Sequence, residues 1–176
     1  MNTAQCRLYG PLNDLVEPRR RQRDLAWHWD TPEPVREMIE GLGVPQLEVG
    51  LIVVNGENSA GGLGITEKTA TEIFACGADV ITLGNHSFRQ RDSWEYLDRA
   101  ERVIRPANYR RANPGKGHCV LEVTPADGSG PRQVGVINLI GMIMGEEPVS
   151  LCAQKTERHG IDYSLTAVMK YRSGAL

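Results

Sequence analysis

The chain has 176 residues, enough for one α/β domain with a sizeable core, and length alone argues for no second domain. Its 20 basic and 22 acidic residues leave a formal charge of −2, which excludes a general affinity for nucleic acid or an anionic membrane. Cys6, Cys76, Cys119 and Cys152 form no C-x-x-C pair and no stretch approaches the roughly 20 apolar residues of a membrane span, so a soluble, cytoplasmic chain with reduced thiols is expected.

Residues 1 to about 31 show neither a helical nor a strand period, and the segment 1–34 is left unassigned. It holds the one basic run, Pro18 to Arg23, which has no aromatic platform beside it and reads as a solvated arm. From Pro34 the pattern improves: Val35, Met38, Ile39 and Leu42 are at helical spacing, and Gly41 or Gly43 can end the helix. A strand is expected from Leu47 to Val54, because Leu51-Ile52-Val53-Val54 is a continuous apolar run of the kind buried on both faces of a sheet. Thr66 to Cys76 comes next as a helix, with Ala70, Ile73 and Phe74 on one stripe, Thr66 as N-cap and Gly77 as its stop. Val80-Ile81-Thr82-Leu83 is the next buried strand, so the unit is a parallel βαβ crossover.

Beyond it, Ser93 to Ala100 reads as a helix capped by Ser93, and Val103-Ile104 as a short extended piece. Cys119 to Val123 and Gln133 to Leu139 read as a hairpin joined by the turn-rich residues 125–131. After Pro148 the sequence is polar and weakly patterned, and 149–176 is left as an unassigned tail behind an α/β domain of residues 35–148.

Ligand chemistry in open α/β sheets gathers outside the carboxyl ends of the strands. Asn55-Gly56-Glu57-Asn58 and Gly84-Asn85-His86 each come directly after a strand of the crossover, so the topology brings Glu57, Asn58, Asn85 and His86 to one edge. A hydrolase that attacks a phosphodiester needs an activated water and a way to neutralise the phosphoryl oxygens, and two metal ions roughly 4 Å apart supply both when a carboxylate bridges them. Glu57 is the candidate bridge, Asn58 and Asn85 are neutral oxygen ligands, and His86 is suited to protonating the leaving oxygen. The competing reading is a plain turn, with Gly56 accepting positive φ and the asparagines bonding their own backbone. A Rossmann reading is weaker, since Gly61-Gly62-x-Gly64 is the nearest approach to G-x-G-x-x-G. The Pro114-Gly115-Lys116-Gly117 loop reads as a solvated turn rather than a phosphate contact.

Several separated motifs agree in order and spacing with one family: Asn55-Gly56-Glu57-Asn58, Gly64-Ile65-Thr66-Glu67-Lys68, Gly77-Ala78-Asp79, Gly84-Asn85-His86, Arg105-Pro106-Ala107-Asn108, Pro114-Gly115-Lys116-Gly117 and Val136-Ile137-Asn138-Leu139. Through them the stretch from Leu51 to Pro148 resembles the YmdB family of calcineurin-like metallophosphoesterases. The resemblance implies a four-layer α/β/β/α sandwich and hydrolysis of phosphodiesters, notably 2′,3′-cyclic nucleotides, at a di-iron or di-manganese centre. It implies Glu57 as the bridging ligand, Asn58 and Asn85 as further ligands and His86 as the proton donor.

Two departures accompany it. The family's opening Gly-Asp-x-x-Gly motif is missing before Val35, where Asp14 is the nearest substitute. The family's three later histidine ligands also have no match, and His28, His118 and His159 read as surface residues. Foreign flanks, as from a shifted reading frame or a misplaced gene boundary, are the expected cause. Two functions remain in view: a metal-dependent phosphodiesterase, impaired in this chain, or an inactive truncated relative that serves as a binding or interaction module. In the truncated reading, an incomplete sheet with an open strand edge predicts aggregation or oligomerisation, so a homo-oligomer is an expected form.

Overall fold

Residues 2–31, for all their lack of period, close an antiparallel pair. Strand β1 (Asn2–Arg7) runs beside β2 (Asp24–Trp29), in register from Asn2 opposite Trp29 to Arg7 opposite Asp24. The structure, a computed structural model, describes residues 2–31, 33–125, 128, 130–140, 148–158 and 161–171, the last two ranges by their backbone. The long β1–β2 connection is made of two 3-10 turns, Gly10–Leu15 and Pro18–Arg20, each with a proline at its start where the fixed φ is pre-set for the turn. Its Leu8 and Val16, with Leu25 of β2, are buried against Ile39, Leu42, Val44, Val49 and Ile52. The N-terminal segment thus shares one core with residues 39–52.

Helix α1 (Val35–Gly41) ends as its glycines require: Leu42 closes the last turn and Gly43 takes φ 96° to reverse the chain. The first parallel strand, β3 (Val53–Asn55), is much shorter than the expected Leu47 to Val54. Pro45 opens a 3-10 turn over Gln46–Glu48, and the Ile52 N–H goes to the Asp79 Oδ2 carboxylate oxygen at 2.8 Å instead of to a strand.

Helix α2 (Glu67–Ala75) is capped by Thr66, whose Oγ1 accepts the Thr69 N–H at 3.2 Å while Thr69 Oγ1 accepts the Thr66 N–H at 3.0 Å. Ala70 is buried and Ile73 and Phe74 pack on the sheet, as the stripe predicts, and Gly77 turns the chain at φ 100°. Strand β4 (Val80–Thr82) lies between β3 and β5 (Val103–Ile104), parallel to both. Its residues alternate between two cores: Ile81 packs under α2, and Val80 joins Ile104 and Cys119 on the other face. Each such fully buried aliphatic side chain contributes about 1.5–3 kcal/mol.

Helix α3 (Trp94–Arg99) is led in by a 3-10 turn over Arg91–Ser93, so Ser93 stands in helical conformation, is buried, and caps nothing with its side chain. Strands β6 (His118–Val123) and β7 (Arg132–Ile137) form the expected antiparallel hairpin. Within the stretch read as weakly patterned, β8 (Pro148–Arg158) pairs antiparallel with β9 (Ile161–Tyr171). A backbone ladder needs no side-chain period, so the pattern carries no sign of it. The chain divides into two units, Met1–Asn138 and Leu139–Leu176. The first is a mixed α/β unit with a parallel sheet at its centre. Among the described residues no helix is long and apolar enough to cross a membrane.

Candidate functional site

The pairing of β3 with β4 runs one step past Asn55, because the Gly56 N–H donates to the Thr82 carbonyl at 2.9 Å. No side chain fits at Gly56: a Cβ there would stand 2.6 Å from Ile81 Cγ2. Asn55 Oδ1 then accepts the Glu57 N–H at 3.1 Å, a turn closed by the asparagine itself. Both devices aim Glu57 across the end of β4. There Glu57 Oε1 accepts the His86 N–H at 3.0 Å, and the α-carbon of Gly84 packs against the carboxylate.

The His86 ring completes the arrangement. Its Nδ1 lies 2.7 Å from Asn58 Oδ1 and 3.8 Å from Glu57 Oε1, so the proton sits on Nδ1 facing two acceptor oxygens. Nε2 is then the ring position open to proton exchange. The side chains of Glu57 and His86 are 17% and 24% exposed, so the pair is partly buried. Ser87, fully buried, donates its hydroxyl to the Gly84 carbonyl at 2.5 Å and holds the turn from below.

The structure therefore brings Glu57, Asn58 and His86 into contact. Asn85 shares the edge but is exposed, and no hydrogen bond within the described residues joins its side chain to the other three. Sequence reasoning missed Gly84 and Ser87, although a glycine directly before a ligand-bearing turn is itself the signal of a close approach. It also leaves Asn138, in Val136-Ile137-Asn138-Leu139, without a role.

Other candidates are engaged elsewhere. Asp14 pairs with Arg21 at 3.2 Å on the exposed β1–β2 connection. In the same basic run Arg19 pairs with Glu17, and Arg20 donates to the Leu42 carbonyl. His28 shares a hydrogen bond with Thr3, His118 opens β6, and His159 lies outside the described residues. In the Pro114–Gly117 loop the Gly115 N–H donates to Asp98 Oδ1 at 2.7 Å and the Lys116 carbonyl accepts from Arg105, so this loop is spent on the protein itself.

Among the described residues no group of three or more His, Cys, Asp and Glu side chains is placed to hold a metal ion. Glu57, Asn58, Asn85 and His86 together offer one carboxylate, two amide oxygens and one ring nitrogen. A single ion takes about four to six such donors. Among the described residues these four side chains do not fill the shells of two ions.

The chain is 31% identical over 148 residues to the 2′,3′-cyclic-nucleotide 2′-phosphodiesterase of Bacillus subtilis, an alignment covering 76% of this chain and 53% of that protein. Among solved structures, a hypothetical protein from Thermus thermophilus is 32% identical with a TM-score of 0.48, over 55% of this chain and 35% of that one. A novel phosphatase from Mycoplasma pneumoniae is 25% identical with a TM-score of 0.43, over 52% and 32%. The chain thus spans about half the length of its curated Bacillus relative. The profile of the YmdB-like protein family matches residues 33–163, further toward the C-terminus than the motifs alone extend, and it takes in both arms of the Glu57–His86 contact. The chain belongs to the YmdB-like protein family.

Proposed function

We propose that this chain is a metal-dependent phosphoesterase whose substrates are phosphodiesters such as 2′,3′-cyclic nucleotides. The observation that carries the reading is the interlock of Glu57, His86 and Asn58 at the carboxyl edge of β3 and β4. The activity for which the Bacillus relative is named supports the substrate class. In this reading His86 protonates the leaving oxygen from Nε2, held in line by the Nδ1–H bond to Asn58 Oδ1. Glu57 and Asn85 would hold a divalent cation such as manganese or iron. Asn58 Oδ1, which has two lone pairs, can serve the ion and His86 together. The cation, when bound, supplies Lewis acidity and an activated water. A two-ion centre bridged by Glu57 needs further anionic or imidazole donors than the described side chains bring to it.

The wider reading places the catalytic domain in residues 35–148, within an α/β/β/α sandwich. A cytoplasmic location accords with unpaired Cys6, Cys76 and Cys119. Self-association accords with the outer edge of β3, which has no strand partner among the described residues, and with the exposed Val53, Val120 and Ile137.

The shortage of donors favours a second reading, in which the chain is an inactive relative that binds without turnover. One experiment separates the two. Protein loaded with manganese or ferrous iron is assayed on bis-p-nitrophenyl phosphate and 2′,3′-cyclic AMP, beside Glu57→Gln and His86→Ala. Turnover that falls at least about 100-fold in His86→Ala supports the enzyme, in keeping with the usual 10²–10⁴ for a general acid. Absence of turnover in every loaded form, or equal rates in wild type and His86→Ala, rejects it.

A further inference from the structure

The ladder between β4 and β5 contains a missing rung at the point where the candidate site begins. The Ile81 N–H donates to the Arg102 carbonyl at 2.8 Å and the Leu83 N–H to the Ile104 carbonyl at 2.9 Å. In a parallel ladder the next bond returns from residue 106 to the Leu83 carbonyl. Residue 106 is a proline, with its side chain fully buried, and has no N–H to give. The Leu83 carbonyl, one residue before Gly84-Asn85-His86, would be left without its ladder donor.

Asn138 supplies it. Its Nδ2 donates to the Leu83 carbonyl at 2.6 Å and to the Ile104 carbonyl at 3.0 Å. Both partners are acceptors, so the amide orientation is fixed by them and both Nδ2 hydrogens are used. The Asn138 backbone is pinned on either side: its N–H donates to the Gly117 carbonyl at 3.1 Å, and its carbonyl accepts the Ala107 N–H at 2.7 Å. The side chain is thus delivered to the ends of both strands by a backbone that cannot drift.

We infer that Asn138 is the positioning residue of the site, which fixes the start of the Gly84–His86 turn by replacing the rung that Pro106 cannot form. Two motifs that stand far apart in sequence become one device: Arg105-Pro106-Ala107-Asn108 withdraws a donor, and Val136-Ile137-Asn138-Leu139 returns it. Its consequence for chemistry rests on the function proposed above, but the device itself does not. With the Leu83 carbonyl tethered, the His86 N–H stays aligned on Glu57 Oε1.

The test is amide hydrogen exchange on the metal-free chain, read by NMR, in Asn138→Asp, Pro106→Ala and the double variant. Asn138→Asp keeps the shape and removes the donors, and Pro106→Ala restores the backbone N–H. Asn138→Asp is expected to speed exchange of the Leu83 and His86 amides about tenfold relative to those of α1, as loss of the bond to the Leu83 carbonyl implies, the Ile104 carbonyl keeping the Leu83 N–H. Adding Pro106→Ala should recover at least about threefold of that. Asn138→Ser, which keeps one donor, gives an intermediate rate and serves if the aspartate variant does not fold. Unchanged His86 protection, equal acceleration of every amide including α1, or no recovery with Pro106→Ala overturns the inference. No substrate or metal enters this measurement, so an inactive chain leaves the inference standing. Full activity with unchanged exchange rejects the inference and leaves the proposed function intact.

Discussion

Gly84→Ala should act on Glu57 and little else. Gly84 is buried and its φ lies outside the left-handed region, so only space excludes a side chain there. A Cβ would stand under 3.0 Å from the Glu57 Cδ and both carboxylate oxygens. These atoms end a flexible side chain, so the backbone stays and Glu57 swings aside, breaking its bond with the His86 N–H. A hydrogen bond to a charged group is worth about 1.5–3 kcal/mol, and the low exposure of both partners calls for little discount. Replacing glycine with alanine also stiffens the unfolded chain, which returns about 0.4–1 kcal/mol. The net cost expected is about 1–2 kcal/mol. In a Glu57→Ala background the obstacle is gone, so the same substitution should be neutral or slightly stabilising. Urea unfolding followed by circular dichroism reads the cycle, and at a typical slope of about 1–3 kcal/mol per molar the single variant moves the midpoint by about 1 M. If the two substitutions add to within about 0.5 kcal/mol, Glu57 does not occupy the space over Gly84 and the packing argument fails.

Thr66→Ala should cost about 1 kcal/mol in urea unfolding through loss of the Thr66 Oγ1 half of the capping box, the Thr66 N–H keeping its bond to Thr69 Oγ1, and a change below about 0.3 kcal/mol would show that tertiary packing alone fixes the start of α2. Burial pushes the Cys119 thiol above its ordinary 9.0 and does the same to Cys6, whereas Cys76 is exposed. Near neutral pH iodoacetamide should therefore label Cys76 well before Cys119 or Cys6. Because the thiolate is the reactive form, Cys119 labelling should rise only as the pH passes 9.0. Peptide mapping that finds Cys119 and Cys76 labelled at equal rates in the folded chain would refute the assignment of Cys119 to the core.

Elements that bury a face were the readable ones. Helix α2 has its stripe, its cap and its stop within one short stretch, and all three are met by Ala70, Thr66 and Gly77. Strand β4 reads as an unbroken apolar run because Val80 and Ile81 face different cores. The same rule misled at Leu47 to Val54, since Leu47 is exposed and the side chain of Asp79 takes the Ile52 N–H, a tie between residues 27 apart that no local pattern records. The β1–β2 pair was hidden for another reason: only Leu25 of β2 is buried, so its alternation is carried by one residue. At the site, topology made the convergence of Glu57 and His86 legible. The role of Asn58 as partner of the His86 ring, and the closeness of Gly84 to Glu57, depend on side-chain directions that spacing does not encode.

The edge that carries the candidate chemistry is held mainly by backbone devices, and this decides how it can respond to a cation. Asn55 fixes Glu57, Gly56 and Gly84 admit close approach, and Asn138 closes the rung that Pro106 leaves open. None of these contacts uses Glu57 Oε2, which has no hydrogen bond among the described residues, or His86 Nε2. A cation arriving at Oε2 therefore need not break the bond from the His86 N–H to Oε1, and a leaving group arriving at Nε2 need not disturb the Nδ1–H bond to Asn58. Under the proposed function, metal loading and proton donation would then act through separate atoms of the Glu57–His86 pair. Their effects should separate: His86→Ala lowers turnover with little change in cation affinity, and Glu57→Gln lowers cation affinity more than it lowers turnover at saturating cation.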